Sequence, residues 1–133
     1  MKKNIDLGLL VLRISIGLLM LLHGISKLIH GIGFIEGMLE GMGMPGFVAY
    51  GVIVGEVIAP LAILIGFKTR IASAIYAFNC FVAILMVHSK DLLSLNEHGG
   101  WGVELLGLYL LGAVALVFTG AGKYALSQKS KWD

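Results

Sequence analysis

The sequence predicts an all-α membrane protein, a bundle of four transmembrane helices with a short amphipathic helix in the first outer loop. Three observations carry this. Apolar residues make up 58% of the chain and charged residues only 14%, whereas a soluble domain carries about 25% charged residues to face water. Apolar stretches recur at roughly 7–29, 47–67, 71–87 and 103–119, each close to the ~20 residues that cross a ~30 Å hydrocarbon layer. No period-two alternation marks a barrel strand, and in lipid the backbone must satisfy its own hydrogen bonds, so the spans are helices. The 133 residues form one domain.

The first stretch, 7–29, reads as a span and not as a cleaved signal, because it is too long for a signal core and contains Arg13. The second and third are joined by the tight turn Gly66–Arg70, which makes them antiparallel neighbours. Pro60, four residues after Glu56, removes a backbone donor opposite the Glu56 carbonyl and predicts a kink there. In the 31–46 loop Phe34, Met38 and Met42 recur at helical spacing with Ile35 and Leu39 beside them. This pattern predicts a short helix lying in the outer interface or acting as a lid, ended by the glycines before Pro45.

Basic residues orient the bundle. Lys2, Lys3, Lys68, Arg70, Lys123, Lys129 and Lys131 fall on one side of four alternating helices, which makes that side cytoplasmic and places both termini there. The localisation expected is the bacterial inner (cytoplasmic) membrane, multi-pass. The small, dispersed net charge of +2 excludes a nucleic-acid partner, and the lone Cys80 excludes an internal disulfide or a C-x-x-C redox pair. Cys80 lies in an apolar run and reads as core.

Candidate chemistry lies in polar residues at membrane depth, where each charge costs about 2.5–3.5 kcal/mol to insert and so requires a partner or a function. These are Arg13, His23, Lys27, Glu56 and Glu104, with Asn79 as a neutral addition. Arg13, Gly17, Met20, Gly24 and Lys27 share one stripe of the first helix, with His23 about 80° from Arg13. The glycines on that stripe permit close approach of a neighbouring helix. Rise per residue puts Arg13 about 9 Å from the cytoplasmic edge, Glu56 and Asn79 near the midplane, and His23, Lys27 and Glu104 toward the outer edge. Two groupings follow: Arg13 coupled to Glu56, and a His23–Lys27–Glu104 pocket open to the outer face. Both are open to a structural reading, since buried pairs often fix helix register and nothing more. A titrating His beside a carboxylate and an ammonium also suits proton transfer or anion recognition. No P-loop, H-E-x-x-H or G-x-S-x-G motif is present, and no metal site is expected.

Leu12-Arg13-Ile14-Ser15-Ile16-Gly17 followed by His23-Gly24-Ile25-Ser26-Lys27 resembles the L-R-x-x-x-G…H-G-x-x-K signature of the DoxX family. Gly43-Met44-Pro45, Gly55-Glu56 and Gly66-Phe67-Lys68-Thr69-Arg70 resemble its later segments, as do Gly99-Gly100-Trp101 with Glu104. The tail Gly122-Lys123-Tyr124-Ala125-Leu126-Ser127 departs from the family pattern, with Ala125 for Ser and Ser127 for Asp. The resemblance implies a four-helix membrane bundle. Some members resemble or act as the membrane subunit of thiosulfate:quinone oxidoreductases, and others associate with sulfur-handling or antioxidant enzymes. It therefore implies a quinone-linked oxidoreductase subunit whose polar pocket serves quinone or proton exchange, with quinone as an exchangeable ligand and no tightly bound cofactor. Its partners would be the bilayer, an enzyme subunit carrying the redox centres, or a second copy of the chain. The alternatives are a membrane anchor or scaffold with a structural polar core, or a small transporter or lipid-binding protein. No catalytic residue is assigned.

Overall fold

The computed structural model describes residues 3–133, so Lys2 lies outside the described part. Helix α1 spans Ile5–His30, α2 Gly33–Gly41, α3 Gly46–Ile65, α4 Thr69–Val87 and α5 Glu104–Thr119. The described residues form no strand beyond an isolated bridge between Leu95 and Trp101. Helices α1, α3 and α4 are long and apolar enough to cross a membrane, whereas α5 has 16 residues. At 1.5 Å per residue α5 extends about 24 Å, short of the ~30 Å layer.

Helix α1 packs on α3, α3 on α4, α4 on α5, and α5 returns to α1, closing a ring of four. Ile16 and Met20 of α1, Ala59 and Ile63 of α3, Tyr76 and Cys80 of α4, and Tyr109, Ala113 and Leu116 of α5 fill its centre. Cys80 is fully buried there. The Tyr76 hydroxyl donates to the Ile16 carbonyl at 2.8 Å, and its ring meets Tyr109 edge to face at 6.4 Å, so this polar tip is satisfied inside the core. The outer surface is also apolar: Leu18, Leu22, Phe78, Phe81, Leu108, Leu111 and Phe118 are all exposed. Soluble proteins do not carry apolar surface of this extent, and it matches lipid as the solvent.

Helix α3 answers the expectation at Pro60 in an unexpected way. In place of a simple kink, Val54–Ile58 forms a turn of π-helix just before Pro60, which has no N–H to offer the Glu56 carbonyl. That carbonyl faces Gly24 of α1, and a methyl group at Gly24 would collide with it. Gly17 likewise lies against Leu64 and the Pro60 carbonyl. The two glycines on the α1 stripe thus seat α3 at close range.

The α3–α4 turn uses left-handed backbone at Gly66 (φ 73°) and Lys68 (φ 48°). Gly66 is also crowded by Ala125 and the Arg13 guanidinium, so neither its conformation nor its surroundings accept a side chain. The tail that follows α5 folds back over this end of the bundle. Leu126 and Ser127 donate to the carbonyls of Ile65 and Gly66, and Arg70 donates to that of Trp132. Asp133 closes the tail, its carboxylate accepting from Lys68 N, Ser130 N and Ser127 Oγ. Desolvation opposes ionisation of this carboxyl, but the hydrogen bonds from Ser130, Ser127 and Lys68 and the Lys68 charge outweigh it and lower its pKa.

Candidate functional site: a polar-ended cavity between helices three and four

Helix α2 lies over the ends of α3 and α4 and encloses a cavity of about 400 Å³ with them. The α2 wall is Ile35, Met38 and Leu39, and Val52, Phe78, Val82 and Met86 contribute from α3 and α4. Of the apolar side of α2, Ile35, Met38 and Leu39 turn to the cavity, while Phe34 is 76% exposed and Met42 54%. Exposed Ile75 and Phe78 share the wall, and Gly51 lies on it with open space where its Cβ would be.

The polar end of this cavity is Lys27, Glu56 and Asn79. Lys27 Nζ donates to Glu56 Oε1 at 2.5 Å, with side-chain exposures of 35% and 7%. Asn79 Nδ2 approaches the same oxygen at 3.5 Å, the outer limit of a hydrogen bond. Gly55 makes that approach possible, because a Cβ there would overlap Asn79. The pair is one-sided: the carboxylate is buried, and the Lys27 side chain is partly exposed along its length.

Arg13 does not reach Glu56, contrary to the expected coupling. It is 1% exposed and donates to four backbone carbonyls: Nε to Ile63 at 2.8 Å, Nη2 to Leu64 at 2.8 Å, and Nη1 to Ala121 at 3.1 Å and Tyr124 at 2.5 Å. Ile63 and Leu64 belong to the last turn of α3, whose carbonyls carry the negative end of the helix dipole; Ile63 also accepts from Gly66 N at 3.2 Å. Seven residues separate Glu56 from Ile63, about 10 Å along the helix. That places Glu56 at the level of Gly24 and Lys27, and Arg13 at the helix end.

The expected His23–Lys27–Glu104 grouping also separates. Lys27 is committed to Glu56. His23 Nδ1 contacts the Leu19 carbonyl at 3.0 Å, and its ring meets Tyr109 edge-on at 6.3 Å. Glu104 opens α5 with its carboxylate crowding Gly100 in the preceding turn. Neither His23 nor Glu104 lines the cavity. Of the six polar residues singled out in the sequence, Lys27, Glu56 and Asn79 come together, while Arg13, His23 and Glu104 lie elsewhere. The apolar walls from α2 and α4 were not singled out, since Met38, Phe78 and Met86 look like ordinary core residues in sequence.

A helical membrane protein with an apolar cavity ending in an ion pair whose carboxylate is buried is the class that this geometry defines. Residues 8–89, which include all three polar residues of the cavity, match the DoxX family model. The chain belongs to the DoxX family. It is 33% identical over 135 residues to the inner membrane protein YqjF of Escherichia coli, covering 99% of this chain and 100% of the relative. It is 31% identical over 126 residues to the "Putative oxidoreductase CatD" of Bacillus subtilis, covering 95% of this chain and 89% of that one. An uncharacterized membrane protein of Mycobacterium tuberculosis, Rv3486, is 25% identical over 131 residues, 92% of this chain and 80% of the relative. No solved structure matches.

Proposed function

We propose that this protein is the membrane subunit of a quinone-linked oxidoreductase and that the cavity under α2 receives the quinone. The observation that carries this reading is an apolar cavity that ends in a Lys27–Glu56 pair whose carboxylate is buried. Its volume, about 400 Å³, lies in the ~300–1,000 Å³ range of small-molecule sites. Apolar walls with polar groups at one end fit a ring with polar oxygens and an apolar tail. An ionisable pair at membrane depth is expensive without a function. The oxidoreductase name of the Bacillus relative points the same way.

A quinone, when bound, supplies a two-electron, two-proton acceptor, its electrons coming from a redox centre on a partner subunit. This chain's own residues would orient the head. Lys27 Nζ is a hydrogen-bond donor at the polar end, and Glu56 holds it in place. Asn79 fixes the carboxylate from α4. Exposed Ile75 and Phe78 mark the side from which a lipid-soluble ligand enters, and α2 acts as the lid in the outer interface.

Filling the cavity tests the reading. Gly51→Leu places a side chain in open space on the cavity wall, so the variant should fold normally. Its affinity for a short-tailed quinone in nanodiscs should fall at least about tenfold. Unchanged affinity would remove the cavity from the function.

The reading includes a topology: α5 completes a fourth crossing with help from its flanking residues, and both termini are cytoplasmic. Reporter fusions at Lys131 and Glu97 should then report opposite sides of the membrane. Matching readouts would overturn the four-span arrangement.

A further inference from the structure

The end of the bundle under the tail carries a second recess, of about 430 Å³, between the first turns of α1 and α4, the end of α5 and the tail itself. Three cations line it, Arg70, Lys123 and Lys131, together with the carboxylates Asp6 and Asp133. Both carboxylates are engaged: Asp6 Oδ1 accepts Lys123 N at 2.9 Å, and Asp133 accepts Lys68 N, Ser127 Oγ and Ser130 N. The cations are exposed, and among the described residues none of the three forms an ion pair. Arg70 Nη2 donates to the Phe118 carbonyl at 3.1 Å, which ties the guanidinium to the end of α5 and leaves it further N–H groups. Lys131 Nζ rests over the Trp132 ring, 4.9 Å from its centroid. Ser130 Oγ accepts Trp132 N at 3.2 Å and keeps its own proton to give. The surplus at this recess is positive charge and hydrogen-bond donors, which suits an anion with several acceptor oxygens.

The recess lies where α5 ends, the level at which a span leaves the hydrocarbon and meets lipid phosphates. Phe118, whose carbonyl holds Arg70, is 77% exposed, and Leu111, seven residues back on the same face, is 64% exposed. An apolar strip therefore leads from the recess along the outside of α5. Basic pockets at the ends of membrane helices take anionic lipid heads in this arrangement. We infer that the recess binds the phosphate of an anionic phospholipid, with an acyl chain lying on Phe118 and Leu111. A free phosphate ion shares the head's chemistry, and the strip on α5 favours the lipid. The recess and the cavity under α2 lie at opposite ends of the bundle, so neither reading depends on the other.

The test is native mass spectrometry of the full chain in a nonionic detergent, with phosphatidylglycerol, phosphatidylcholine or inorganic phosphate added. Phosphatidylglycerol should bind at least about tenfold tighter than phosphatidylcholine. Lys123→Gln with Lys131→Gln removes two charges from the recess at exposed positions, and should weaken phosphatidylglycerol binding about tenfold. Lys3→Gln with Lys129→Gln removes the same charge from exposed positions outside the recess, and should change that binding less than about twofold, since distant exposed charges are screened. Equal losses in the two double variants would mean that surface charge at large attracts the lipid, and would overturn the inference. Equal binding of the two lipids to the wild type would overturn it without recourse to variants. Displacement of phosphatidylglycerol by inorganic phosphate at millimolar concentration would assign the recess to a free ion and overturn the lipid assignment.

Discussion

Arg13→Met is expected to lower the stability of the detergent-solubilised protein by about 3 kcal/mol and to release the C-terminal tail. The guanidinium serves the carbonyls of Ile63, Leu64, Ala121 and Tyr124 together. Leu64, Ala121 and Tyr124 lose their donor at a cost of about 1 kcal/mol each, while Ile63 keeps Gly66 N at 3.2 Å. Two of the four lie at the end of α3 and two in the tail, so the one side chain fastens residues that are far apart in the chain. Arg13→Lys keeps the charge but loses the planar fork, and should recover less than half of the loss. Denaturation in SDS measures the stability. Limited proteolysis after residue 120 and the fluorescence of Trp132 report the tail. A tail as protected in Arg13→Met as in the wild type would mean that the backbone contacts from Arg70, Leu126 and Ser127 hold it unaided. Because Arg13 and Glu56 do not meet, the losses from Arg13→Met and Glu56→Gln should add.

Lys27→Met should cost about 3 kcal/mol, and Glu56→Gln markedly less. Breaking a buried ion pair costs about 3–5 kcal/mol because it leaves an uncompensated charge, and the lower end applies where one partner is partly exposed. The asymmetry follows from the burial. Loss of Lys27 leaves the carboxylate, 7% exposed, with only a marginal contact from Asn79. Loss of the carboxylate's charge leaves Lys27, whose side chain is 35% exposed and flexible enough to carry the ammonium to a more polar position. The double Lys27→Met, Glu56→Met variant should recover most of the loss of Lys27→Met. Equal losses from the two single variants in SDS unfolding would contradict the one-sided burial.

Much of the architecture was legible in the sequence for physical reasons that act locally. Long apolar runs in a charge-poor chain leave helix as the way to satisfy the backbone. The expected bounds 7–29, 47–67, 71–87 and 103–119 differ by no more than two residues at either end from α1, α3, α4 and α5. Gly17 and Gly24 announced a close helix contact because small residues repeat on one face. The site was legible only in part. Lys27, Glu56 and Asn79 are costly in an apolar stretch and so stand out. Which of them meet depends on the level at which α3 crosses α1, and the π turn before Pro60 contributes to setting that level. The anchoring of Arg13 was hidden for a different reason: its partners are carbonyls, which every residue carries and no side chain advertises. The same is true of the tail, whose docking rests on backbone groups and on Asp133. Phe34, Ile35, Met38, Leu39 and Met42 form one apolar arc opposite Glu36 and Glu40, and periodicity alone does not say which part of that arc turns to the bundle and which outward.

The most direct measurement is photolabelling with an azido-quinone in native membranes, followed by mapping of the modified residues. Label concentrated on the cavity wall, at Met38, Phe78, Val82 or Met86, and lost in Gly51→Leu, is the result that the cavity predicts. Label spread over the exposed apolar outer surface, at Leu22, Leu108 or Phe118, and indifferent to Gly51→Leu would contradict a quinone site under α2.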